Sequence, residues 1–129
     1  MILMDTHIWL WWINEDIDML GQTRNDLIQS EEMVAVSAIS CFEVAWLDAH
    51  NRIQLPCKRM NRFEKALEGS DINLLPTTRA IAGLAVDLPD HHSDPQVRII
   101  IATSLFHDGK SMSADGKFPL YKELDGRLV

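Results

Sequence analysis

Short apolar runs alternate with longer stretches of helical spacing along this chain of 129 residues. Ile2-Leu3-Met4, Met33-Val34-Ala35-Val36, Ile72-Asn73-Leu74-Leu75 and Ser111-Met112-Ser113-Ala114 read as strands, the first ending at Asp5 and the last at Asp115. Between them, helices are expected through the Trp cluster behind a Thr6 cap, over 23–29, and over 38–49. Further helices are expected over 58–67 (stopped near Gly69), over 77–86, and from Pro95 to about 107. Pro95 suits a first helical turn, where its missing N–H costs nothing. Residues 127–129 are read as a last edge strand. Strands alternating with helices predict βα units around a parallel sheet, an α/β fold. No repeat, low-complexity tract or linker divides the sequence, so a single domain over 1–129 is expected.

Composition adds few constraints. With 47% apolar and 24% charged residues, the chain is ordinary globular material. Its longest apolar run, Ile8-Trp9-Leu10-Trp11-Trp12-Ile13, falls far short of the ~20 residues of a membrane span. The start has no basic segment, so a secretory signal is not expected. Cys41 and Cys57 have no metal-ligand spacing and are read as buried thiols in a reducing cytoplasm.

Charge changes the picture more. The net charge is −7. Residues 1–50 carry nine acids against one base, residues 51–70 five bases against two acids, and residues 71–129 eight acids against six bases. This balance excludes a protein held to nucleic acid by bulk positive charge. It leaves open an enzyme that reaches nucleic acid through metal ions, because such an enzyme needs clustered carboxylates.

Four acids differ from the solvated majority. Asp5 and Asp115 end strands, and sites in open α/β sheets form outside the carboxyl ends of strands. Glu43 sits among Cys41, Phe42, Val44, Ala45 and Trp46, where an unpaired carboxylate is costly. Asp94 opens a helix with an apolar body. Each also has a structural reading: Asp5 as a strand terminator, Asp115 as a turn residue, Asp94 as an N-cap, and Glu43 as part of an S-x-x-E capping box from Ser40. Gathered without a cation, such acids repel by about 4 kcal/mol per pair at ~4 Å and an effective dielectric near 20. Oxygen ligands of this kind suit Mg²⁺ or Mn²⁺.

These residues carry a family resemblance. Met1-Ile2-Leu3-Met4-Asp5-Thr6-His7-Ile8-Trp9-Leu10-Trp11-Trp12 resembles the opening of PIN-domain proteins of the VapC toxin family. Val36-Ser37-Ala38-Ile39-Ser40-Cys41-Phe42-Glu43-Val44-Ala45 is similar to that family's second-acid motif, and Arg52-Ile53-Gln54-Leu55-Pro56 to the segment after it. Leu88-Pro89-Asp90-His91-His92-Ser93-Asp94-Pro95 resembles its LPxHHxDP stretch, and Ser113-Ala114-Asp115 its T-A-D motif. The resemblance spans nearly the whole chain in order. It implies a PIN-like three-layer α/β/α sandwich around a short parallel sheet, and a Mg²⁺- or Mn²⁺-dependent endoribonuclease. It also implies a cognate antitoxin that blocks the site. Asp5, Glu43 and Asp115 match three family acids and would hold the metal, with Asp94 as a fourth. The family's D-P-x-D-R pattern has its second acid where this chain has Val97, while Arg98 is retained. Two functions follow: an active ribonuclease toxin, or a weakened or silent PIN-like module that binds antitoxin or RNA without cutting. The absence of D-x-D after the first strand, and of a Gly-rich phosphate loop, disfavours a phosphatase or nucleotide-binding domain.

Arg52, Lys58, Arg59, Arg62 and Lys65 gather five of the twelve bases. They read as a backbone-phosphate track for RNA, with a solvated helical face as the equal alternative. Trp9, Leu10 and Trp12 read as core, with surplus aromatic surface serving a homodimer or antitoxin contact. His7, His91 and His92 are read as packing or loop residues rather than ligands.

Overall fold

The computed structural model describes residues 1–68 and 70–129, so the expected helix stop near Gly69 lies outside the described residues. Four parallel strands form one sheet: β1 (Ile2–Met4), β2 (Val34–Ser37), β3 (Ile72–Leu75) and β4 (Lys110–Met112), in the order β3-β2-β1-β4. Met4 lies opposite Val36 on one side and Met112 on the other. The carboxyl ends of the two central strands and β4 are therefore level.

The helices are α1 (Thr6–Ile13), α2 (Ile17–Leu20), α3 (Gln22–Ser30), α4 (Ala38–Ala49), α5 (Arg59–Phe63), α6 (Arg79–Asp87) and α7 (Pro95–Phe106). Strand alternation sends side chains to opposite faces and builds two cores. Ile2, Met4, Val34, Val36 and Met112 pack with Trp9, Ile8 and Val44 on one face. Leu3 and Ala35 pack with Ile81, Ala85, Ile100 and Ile101 of α6 and α7 on the other. The expected three-layer α/β/α arrangement around a short parallel sheet is thus the observed one. Trp9 is fully buried and stacks on Phe63 at 6.2 Å between ring centroids, in keeping with its core reading. Among the described residues, no helix is long and apolar enough to cross a membrane.

Several boundaries differ from expectation. Asp5 rather than Thr6 is the N-cap of α1, because Asp5 keeps an extended backbone while Thr6 is already helical. The cap of α4 is Ser37, so the Ser40–Glu43 capping box does not form and Glu43 lies in the body of the helix. Beyond α5 the chain widens into a π-helical turn over Glu64–Glu68. Residues 127–129 make only an isolated bridge, Ser111 with Leu128, instead of a strand. Strand β4 ends at Met112, so Asp115 sits in the following loop and not at the strand end.

Candidate functional site

Beyond the carboxyl ends of β1 and β4 lies a cavity of about 360 Å³. Asp5, Glu43, Asp94 and Asp115 all line it, together with His7, Trp11, His92 and Val97. Four acids spread over 110 positions of sequence therefore share one opening, each delivered by a different element: the cap of α1, the body of α4, the cap of α7 and the loop after β4.

Asp5 is 8% exposed. Its Oδ1 accepts the Ile8 N–H at 2.9 Å and its Oδ2 the Ser113 hydroxyl at 2.5 Å. Burial raises its carboxyl above the ordinary range, and the charge of Asp115 adds to that; the Ser113 and Ile8 hydrogen bonds and His7 act the other way. A buried carboxyl in this state is one whose ionised form a cation would stabilise. The Ser113 hydroxyl also accepts the Asp115 N–H at 3.0 Å, tying the loop after β4 to Asp5. Thr6 Oγ1 donates to the buried Ser40 Oγ at 2.9 Å and pins α1 to α4.

Both oxygens of Asp115 are engaged: Oδ1 accepts the Lys117 N–H at 2.9 Å, and Oδ2 lies 3.0 Å from His92 Nε2. Asp94 caps α7 by accepting the Gln96 N–H at 2.9 Å through Oδ1. It is both an N-cap and a wall of the cavity. Glu43 is half-buried and has no hydrogen-bond partner among the described residues. Val97 adds an apolar wall beside Asp94.

Among the described residues, no three His, Cys, Asp or Glu side chains stand close enough to hold one ion between them. Mg²⁺ commonly keeps several waters and binds one or two carboxylates directly. Buried Asp5 and the half-buried Glu43, Asp94 and Asp115, all oxygen donors on one cavity, fit that chemistry in donor type.

The bases behave differently from the acids, and none of the five lines this cavity. Arg59 Nε pairs with Asp48 Oδ2 at 3.0 Å. Arg62 turns inward and donates to the Ile13 carbonyl at the end of α1. Arg52, Lys58 and Lys65 are exposed. The continuous track over all five is therefore corrected to three open bases, because two guanidiniums serve the fold.

Sequence reasoning missed four contributors. His7 is exposed and lines the cavity, 6.3 Å from the Trp11 ring. His92 contacts Asp115 directly. Tyr121 is fully buried and its hydroxyl accepts the His92 N–H at 3.0 Å. Arg98, noted only as a retained motif residue, donates to the carbonyls of Val86, Leu88 and Pro89 at 3.1, 2.6 and 2.9 Å. The LPDHHSDP stretch was the available signal, but its contacts lie far apart in sequence.

A short parallel sheet with acids collected beyond its strand ends defines a class of α/β proteins built around a carboxylate pocket. Residues 2–124 match the family model of the PIN domain, and the chain belongs to the PIN-domain family. It is 32% identical over 115 residues to Ribonuclease VapC22 of Mycobacterium tuberculosis (strain ATCC 25618 / H37Rv), covering 88% of this chain and 86% of that protein. In fold it is similar to VapBC2 from Rickettsia felis bound to a DNA fragment from their promoter, with a TM-score of 0.71 at 15% identity over 100% of this chain and 98% of that one. A toxin–antitoxin complex from Klebsiella pneumoniae gives a TM-score of 0.68 at 19% identity, over 100% and 96% of the two chains.

Proposed function

We propose that this chain is a metal-dependent endoribonuclease, the toxin of a toxin–antitoxin pair, which hydrolyses RNA phosphodiester bonds at the acidic cavity. The observation that carries the proposal is the convergence of Asp5, Glu43, Asp94 and Asp115 on one cavity, in a chain related to Ribonuclease VapC22. Asp5 and Asp115 would hold Mg²⁺ or Mn²⁺, with Glu43 and Asp94 reaching its water shell. When bound, such an ion supplies a water of lowered pKa and neutralises charge developing on the phosphate. Glu43, free of other hydrogen bonds, is the side chain available to take a proton from an attacking water. Ser113 and the Ile8 amide hold the Asp5 carboxylate in one orientation. Arg52, Lys58 and Lys65 remain to contact the RNA backbone.

By analogy with the toxin–antitoxin complexes of similar fold, we further propose a cognate antitoxin that covers the site, and a homodimer, both acting in the cytoplasm. Phe42 and Trp46, 54% and 44% exposed on α4 beside Glu43, suit such a contact.

Val97 favours a second reading, a weakened or silent module that binds antitoxin or RNA without cutting. RNA cleavage in Mn²⁺ by the parent chain, Asp5→Asn and Val97→Asp separates the two. The ribonuclease reading expects cleavage by the parent, none by Asp5→Asn, and faster cleavage by Val97→Asp, by roughly the 10–100-fold that one metal-site partner is worth. Inactivity of both the parent and Val97→Asp, with tight RNA or antitoxin binding intact, would sink it in favour of the silent module.

A further inference from the structure

Besides the four acids, His92 lines the cavity and its ring is hydrogen-bonded to two of them. Its Nε2 lies 3.0 Å from Asp115 Oδ2, and its Nδ1 lies 3.1 Å from the Asp94 amide nitrogen. A backbone amide only donates, so Nδ1 must offer a lone pair. The neutral ring therefore carries its proton on Nε2 and donates it to Asp115. A coordinating imidazole nitrogen is unprotonated, so this arrangement excludes Nε2 as a metal ligand.

The backbone that carries the ring is anchored as well. The His92 N–H donates to the Tyr121 hydroxyl, and the Arg98 guanidinium donates to the His92 carbonyl at 3.4 Å. The side chain is only 15% exposed. Asp115 is thus gripped at both oxygens from two segments, by His92 before α7 and by the Lys117 amide in its own loop.

We infer that His92 is a positioning residue. With its tautomer set by the Asp94 amide, it fixes the rotation of the Asp115 carboxylate toward the cavity shared with Asp5. The benefit to metal capture rests on the ribonuclease reading; the hydrogen-bond relay does not. Val97 increases the importance of the relay. With no acid at that position, the remaining carboxylates must be held in place without help from a carboxylate there.

Nitrogen-resolved imidazole NMR of the metal-free chain should show the neutral His92 ring carrying its proton on Nε2. Asp115→Ala should speed the exchange of that proton. In Mn²⁺ titrations followed by electron paramagnetic resonance, His92→Ala should weaken binding roughly 10–100-fold. His92→Gln should recover most of the loss, because its amide donates from nearly the same place. All variants should melt cooperatively, since the backbone contacts of residue 92 are unchanged. A proton on Nδ1, or His92→Ala binding Mn²⁺ as tightly as the parent, overturns the inference. If the parent binds no Mn²⁺ at all, the ribonuclease reading falls together with the metal role. The ring proton and its response to Asp115→Ala then decide whether His92 holds that carboxylate.

Discussion

Burial holds the Asp5 carboxyl above its ordinary range, and the Ser113 hydroxyl, the Ile8 amide and His7 offset that only in part. A raised folded-state pKa means the folded protein holds this proton more tightly than the unfolded chain does. The associated stability is fully present below about 3.9, the unfolded aspartate value, and is lost as pH rises through the raised one. At neutral pH an ionised Asp5 therefore weakens the metal-free fold. Asp5→Asn keeps the α1 cap, because asparagine caps as well as aspartate, and removes the buried charge. It should stabilise the metal-free protein by on the order of 1 kcal/mol, the usual yield of relieving a functional position, or about 4 °C in Tm. Mn²⁺ should raise the Tm of the parent and leave that of Asp5→Asn unmoved. Thermal melts with and without the ion check both parts, and a lower metal-free Tm for Asp5→Asn would contradict the account.

The segment between α6 and α7 depends on one side chain. The Arg98 guanidinium gathers the carbonyls of Val86, Leu88, Pro89 and His92, and its side chain is 12% exposed. Its ion pair with fully exposed Asp90 adds little. Arg98→Ala should cost about 2–3 kcal/mol in urea unfolding, in line with the loss of several charged hydrogen bonds at once. Amide exchange over residues 88–94 should accelerate. Arg98→Lys should recover less than half, since an ammonium cannot span a planar fork; full recovery would show that charge alone suffices. This clamp also explains what the sequence could and could not reveal. Helix α4 and strand β3 were legible to the residue, because local periodicity and flanking caps define them. The four acids were legible as residues ill-suited to their surroundings, and their convergence followed from βα order. The end of β4 was not, because Ser113 leaves the ladder for Asp5, 108 positions away. His92 was passed over for the same reason: its partner is 23 residues distant, and nothing nearby in sequence announces the pair.

Across the whole molecule, the net charge of −7 conceals a division of labour among few bases. Arg59 is neutralised by Asp48, and Arg62 is drawn to the carboxyl end of α1, where a cation favours the helix dipole. Only Arg52, Lys58 and Lys65 of the basic block face solvent freely. Long-range attraction for RNA is therefore weak, and contact near the cavity depends on neutralising the acids. Release of counterions by about three phosphates of a single strand gives a slope of about −2 in log K against log salt, where five would give about −3.5. Asp5→Asn, expected to bind without cutting, is the protein for that titration on single-stranded RNA. Lys58→Gln and Lys65→Gln should each flatten the slope by about 0.7 while leaving stability within about 0.5 kcal/mol. Arg62→Gln should leave the slope alone and lower stability by about 1 kcal/mol, the worth of a lost helix-end contact. A slope near −3.5, or an Arg62→Gln protein as stable as its parent with weaker RNA binding, would restore Arg62 to the phosphate track and overturn this division.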